Sequence, residues 1–233
     1  GSDIAMVFDE CTPYPCSRAD ARESMELTLK WAKACREQPR ADGQQVFGIV
    51  QGGMYSELRS ECAARLVEMD FDGYAVGGLS VGEPEDEMMA TLEAVTPELP
   101  ENKPRYMMGV GTPPQIVNAV AHGIDMFDCV LPTRLARNGS AYTAAGVVPV
   151  KAGRFKDDLS PIEDGCECYA CRTFTKAYVR HLLNTNEILG HRLMTTHNLH
   201  FYAKLMRDIR HAIDNDSFAK FQEEFCGRYV ARV

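Results

Sequence analysis

The sequence predicts an α/β fold: the C-terminal part of a (β/α)8 TIM-like barrel, about five of eight βα units, interrupted by a cysteine-rich insert. Three observations predict it. Short apolar segments alternate with amphipathic helical stretches up to about residue 138. Each apolar segment runs into a polar or glycine-rich tip. Beyond 138 the alternation stops, and a cluster of cysteines takes its place.

The elements follow in order. Residues 4–8, 46–50, 74–76, 106–108 and 124–127 are continuous apolar runs, as expected of parallel strands covered on both faces. Between them, 24–36 carries Met25, Leu27, Leu29, Trp31 and Ala32 on a mostly apolar helical face. Residues 56–69 do the same with Leu58, Cys62, Leu66 and Met69, and 85–94 and 114–122 read as further helices. Residues 140–143 and 147–151 read as a β-hairpin, followed by helices over 173–189 and 198–215. The domain division expected is 1–138 as the partial barrel, 139–197 as hairpin and metal-binding insert, and 198–233 as a C-terminal helical region packing on the barrel.

The tips are Asp9-Glu10-Cys11, Gln51-Gly52-Gly53, Gly77-Gly78-Leu79, Gly109-Val110-Gly111 and Asp128-Cys129. Carboxyl ends of parallel strands build active sites in α/β folds, because loops and helix N-termini converge there. A doubly wound open sheet is the competing architecture. A barrel needs eight strands, so three units and on the order of 100 residues are expected to precede Gly1. The chain alone is expected neither to close a barrel nor to act.

Composition sets limits. Lys plus Arg is 25 against 33 Asp plus Glu, net −8, which excludes a uniformly basic nucleic-acid-coating protein but not a local basic patch. No apolar run approaches the ~20 residues of a membrane span, and no signal peptide opens the chain. Nine cysteines, an odd number with three within six residues, point to metal chelation in a reducing, cytoplasmic compartment rather than a disulfide scaffold. Cys166, Cys168 and Cys171 with His197 form a four-ligand Cys3His set for one structural zinc ion per chain, since four protein ligands leave no open position. His200 is the alternative fourth ligand. Three unliganded cysteines are the plainer reading.

Asp128 ends the last strand, on the same side as Ile124 and Met126. In a barrel it would stand above the apolar filling. With Arg134 and Arg137 nearby to keep it charged, it suits covalent catalysis at an electron-poor carbon. A helix N-cap or structural ion pair is the plainer alternative. Cys129 is a rival nucleophile, but it alternates away from Asp128 and has no neighbouring His. Arg134, Arg137, Lys151, Arg154 and Lys156 form a stretch of five basic residues without an acidic one, suited to RNA phosphate or simply to solvent. Asp9, Gln51 and the Gly77-Gly78 backbone offer acceptor and donors that match the edge of guanine. Tyr106 and Met108 could pack on its ring, although Met108 also suits the core.

Four long stretches carry a resemblance: Phe8-Asp9-Glu10-Cys11-Thr12-Pro13-Tyr14-Pro15, Phe71-Asp72-Gly73-Tyr74-Ala75-Val76-Gly77-Gly78-Leu79, Tyr106-Met107-Met108-Gly109-Val110-Gly111 and Asp125-Met126-Phe127-Asp128-Cys129-Val130-Leu131-Pro132-Thr133-Arg134. With the Cys3His pattern, they resemble the bacterial tRNA-guanine transglycosylases over essentially the whole chain. The resemblance implies exchange of the wobble guanine in the tRNA anticodon loop for 7-aminomethyl-7-deazaguanine. It implies Asp128 as nucleophile on the ribose anomeric carbon, and base recognition by Asp9, Gln51 and Gly78. It further implies backbone contact from Leu79, packing by Met108, and Cys11 lining the pocket. Arg134 and Arg137 would contact tRNA; Cys166, Cys168, Cys171 and His197 would hold zinc; homodimers would form through the zinc region. Val81 and Cys11 fit the bacterial branch. Thr112 stands where relatives often have Lys, and the first barrel strands, an aromatic base-stacking residue and an acid/base Asp are absent.

Two other classes compete with that reading. A non-catalytic tRNA-binding subunit would have no use for Asp128 and the base-pocket residues. A zinc-dependent barrel hydrolase would need an open metal site.

Overall fold

The computed structural model describes residues 1–229. The chain forms two compact units. The first comprises 1–111 and 118–129; the second comprises 112–117 and 130 onward.

The first unit is built on five strands: β1 Ile4–Met6, β2 Gln45–Val50, β3 Gly73–Val76, β4 Arg105–Met107 and β5 Met126–Phe127. All pair in parallel, and their order in the sheet is their order in the chain. A doubly wound sheet reverses its strand order partway; this one does not, so the path is that of a partial (β/α)8 barrel. Among the described residues β1 pairs with β2 alone and β5 with β4 alone, leaving the wall open.

Helices α1 Arg18–Arg36, α2 Ser56–Glu68 and α3 Glu85–Val95 cover the sheet, and α4 Pro113–Ala121 links β4 to β5. Val46, Ile49, Val50, Tyr74, Ala75, Val76 and Met107 are buried against Met25, Leu29, Leu58, Leu66 and Leu92. Burial along β2 is continuous after Gln45, as its unbroken apolar run requires. Helix α1 starts six residues before the apolar pattern that predicts it. Ser17 caps it, its hydroxyl accepting from Asp20 N at 3.2 Å, and Asp20 favours the positive end of the helix dipole.

The second unit opens with a short helix that the periodicity does not announce, α5 Leu131–Arg137. The predicted hairpin follows as β6 Ser140–Thr143 and β7 Gly146–Pro149, with Tyr142 opposite Val147. Then come α6 Tyr169–Thr173, α7 Lys176–Asn184, α8 Ile188–Asp214 and α9 Phe218–Arg228. The helix expected over 173–189 is broken at both ends. Thr175 caps α7 by accepting from Tyr178 N at 3.2 Å, and Asn186 takes a left-handed φ of 58° that ends it. Helix α8 then runs unbroken through 197–198. His197 therefore lies inside it. The periodicity Met194, His197, Phe201, Leu205 places His197 on the buried stripe.

Candidate active site and metal centre

Asp128 follows the last residue of β5 and is exposed. Two donors meet its Oδ1: the Tyr106 hydroxyl from β4 at 2.6 Å and the Gly109 backbone N–H at 2.9 Å. Gly109 sits at φ 74°, where a side chain is disfavoured, so glycine lets the tip turn its N–H toward the next strand's carboxylate. Burial and then the neighbouring Asp128 push the Tyr106 phenol well above its ordinary value, so it stays protonated and stays a donor. Cys129 Sγ lies 3.8 Å from Gly111 O.

A second cluster lies at the ends of β1, β2 and β3. The Gln51 side-chain N–H donates to Asp9 Oδ2 at 2.7 Å, which orients both groups. Helix α1 holds the Asp9 loop: Thr28 Oγ1 accepts from Glu10 N at 2.9 Å, and Ser24 Oγ donates to Glu10 O at 2.7 Å. Gly78 has φ 65°, and a Cβ there would fall 2.6 Å from Gln51 Oε1, so glycine is required beside the amide. Leu79 is buried, Met108 is half-buried against the core and Cys11 is exposed. Glu83, which the sequence did not single out, accepts from Ser80 N and from Val81 N and shapes the loop after Leu79.

Arg59 on α2 is the other residue that sequence reasoning missed. It is fully buried. Its Nε donates to Gly53 O at 2.6 Å, one Nη to Gly77 O at 2.9 Å and Val50 O at 3.4 Å, and the other Nη to Gly78 O at 3.3 Å. Burial pulls the guanidinium down to about 10, so it remains a cation at neutral pH. Desolvating a cation costs several kcal/mol, offset here by main-chain carbonyls at two strand ends. The signal was present: Arg59, Cys62 and Leu66 share the helical stripe that faces the core.

In the second unit, Arg134 and Arg137 lie in the last turn of α5, three residues apart and both exposed. The Sγ atoms of Cys166, Cys168 and Cys171 and a His197 ring nitrogen all lie within 4.8 Å of one another. His197 Nδ1 is 3.4–3.8 Å from the three sulfurs, while its Nε2 is 2.8 Å from Tyr142 O. That second bond fixes the tautomer, with Nε2–H donating and Nδ1 left to bind. Three thiols and one oriented imidazole could hold a metal ion and fit the tetrahedral ligand set of zinc. His200 is not in this group. Next to His197, buried Asn198 donates to Pro132 O at 2.9 Å and Ser140 O at 3.1 Å, and accepts from Tyr142 N at 2.9 Å. It ties α8 to the hairpin and to α5.

The first unit therefore presents a strand-end carboxylate held by two donors, and a second carboxylate–amide pair beside glycine backbone. Such groups can bind a flat heterocycle and bond to a carbon on it or next to it. The signature described as queuine tRNA-ribosyltransferase matches residues 1–231. Proteins named queuine tRNA-ribosyltransferase from Francisella tularensis subsp. novicida (strain U112) and subsp. tularensis (strain WY96-3418) are each 53% identical to the chain over 229 residues. The match covers 98% of this chain and 62% of each of theirs, so the chain spans less than two thirds of their length. The chain belongs to the queuine tRNA-ribosyltransferase family.

Proposed function

We propose that the protein carrying this chain is a tRNA-guanine transglycosylase. It exchanges the wobble guanine of tRNA for 7-aminomethyl-7-deazaguanine through a covalent Asp128–ribose intermediate. The observation that carries this reading is the Asp128 carboxylate, pinned along Oδ1 by Tyr106 and Gly109. Pinning one oxygen aims the other, Oδ2, at the anomeric carbon of a flipped nucleotide. Oδ2 bonds to that carbon as the bond to guanine breaks and the leaving base keeps the electron pair. The incoming base then displaces Asp128 as its ring N–H proton passes by way of solvent to the departed guanine, and two inversions retain the configuration. Asp9, Gln51, Gly78 and Leu79 supply acceptors and donors for the base edge, with Tyr106, Met108 and Cys11 around it.

Arg134 and Arg137 are the proposed phosphate contacts, the anticodon loop being the partner. Residues 1–138 would carry the chemistry, 139–197 the zinc insert and 198–233 the helical end. Zinc on Cys166, Cys168, Cys171 and His197 would hold the hairpin to α8 without touching the reaction. Dimerisation and a cytoplasmic site of action belong to the same proposal. Support for a reducing compartment comes from the nine cysteines, which form no disulfide with one another. Among the described residues, no helix is long and apolar enough to cross a membrane.

Labelled guanine supplied with tRNA tests the proposal. Incorporation into tRNA by the complete polypeptide is expected. RNA bound without incorporation would instead indicate a non-catalytic tRNA-binding subunit.

A further inference from the structure

We infer that Arg59 is a positioning residue for base exchange: by holding the carbonyls of Gly77 and Gly78, it turns the N–H groups of Gly78 and Leu79 toward the base. The inference rests on the function proposed above and deepens it.

The argument begins with the planar trans peptide, in which the C=O of one residue and the N–H of the next point to opposite sides. The Gly77 and Gly78 carbonyls are both directed at the Arg59 guanidinium, at 2.9 and 3.3 Å. The N–H groups of Gly78 and Leu79 must then point away from it. Gly78 at φ 65° is a backbone that could otherwise adopt many orientations, so something must select this one. A fully buried cation that bonds main-chain carbonyls does so. The same side chain holds Gly53 O at 2.6 Å, at the tip of β2. It therefore also sets the spacing between the tip that carries Gln51 and the tip that carries Gly78.

There is an electronic consequence. A charged donor on the Gly77 carbonyl polarises the peptide and strengthens the Gly78 N–H as a donor. Guanine leaves the ribose with the electron pair of the broken bond, so charge spreads over its ring and carbonyl oxygen as it departs. Arg59 would then stabilise that charge through one peptide without touching the base. Lysine cannot replace it, because a point charge with three donors does not span two strand tips as a planar fork does.

The test is Arg59→Lys in the complete polypeptide, with KM measured separately for guanine and for tRNA. The expected result is a guanine KM raised about tenfold or more. The tRNA KM should stay within about twofold, because the base and not the RNA backbone meets the Gly78 tip. A merely structural role would lower kcat with the folded fraction and leave both KM values alone. A folded Arg59→Lys protein with an unchanged guanine KM overturns the inference while leaving the proposed function standing. No exchange by the unsubstituted protein would instead remove the proposed function, and this inference with it. If Arg59→Lys does not fold, a crystal structure of the unsubstituted protein with guanine decides. Gly78 or Leu79 N is expected within about 3.2 Å of the guanine oxygen, with both carbonyls still on Arg59. Either peptide turned off Arg59, or a base that meets neither N–H, would overturn it.

Discussion

The Tyr106 hydroxyl and Asp128 Oδ1 lie 2.6 Å apart, joining the middle of β4 to the residue after β5. Neighbouring parallel strands thus supply a carboxylate and the phenol that orients it. Tyr106→Phe removes that donor and leaves the packing of a half-buried ring. We expect adduct formation with tRNA to slow by about tenfold with thermal stability nearly unchanged, because the loss is one of orientation. An unchanged single-turnover rate would show that the bond plays no part.

The same pair makes a prediction about pH. The Tyr106 phenol is raised in the folded protein above its unfolded value of about 10. Its contribution to stability is therefore complete below about pH 10 and lost as pH climbs through the higher folded value. The pH–rate profile should show no Tyr106 limb up to pH 10. A falling limb near 9 that disappears in Tyr106→Phe would contradict this.

The Gln51 amide donates to Asp9 Oδ2 at 2.7 Å, joining the two residues proposed to meet the base. Asp9→Asn loses an acceptor that a base N–H requires and disturbs the orientation of Gln51. We expect kcat/KM for guanine to fall by about 10² or more, since leaving a polar edge unpaired discriminates strongly. Binding of tRNA, measured by filter retention, should change little. Equal loss of both would assign Asp9 to the fold instead.

Asn198 makes three hydrogen bonds from a buried position. Asn198→Ala should cost about 2–4 kcal/mol, because Tyr142 N–H and two carbonyls lose their partner. Metal removal should act on the same unit. Chelation is expected to lower Tm by roughly 10 °C or more, since a closed Cys3His site contributes folding energy outright. Metal should also be released as pH falls, because protons compete for the three sulfurs and Nδ1. Chelation that stopped guanine exchange without moving Tm would point to an open, catalytic metal.

Much of this arrangement could be read from the sequence, for identifiable reasons. Continuous apolar runs such as 46–50 can be covered on both faces only in a parallel sheet. Asp9, Gln51, Gly78 and Asp128 stand at tips because each follows such a run. Three cysteines in six residues have few uses apart from metal. What escaped were residues whose roles depend on partners far away in sequence. Arg59 lies on the core-facing stripe of α2, but only the fold brings around it the four carbonyls, six to nineteen positions distant, that give it a role. Asn198 meets groups 56 to 66 positions away. The start of α8 was misplaced by ten residues, because the turn at Asn186 depends on a left-handed backbone and carries no proline or glycine.

The central claim is that Asp128 becomes bonded to ribose. The most direct measurement is a denaturing gel of the complete polypeptide mixed with its tRNA, run beside Asp128→Asn. A slow-migrating protein–RNA band is expected for the unsubstituted protein, released when guanine is added and missing in Asp128→Asn. The same band in Asp128→Asn, or guanine exchange there at the normal rate, would contradict it.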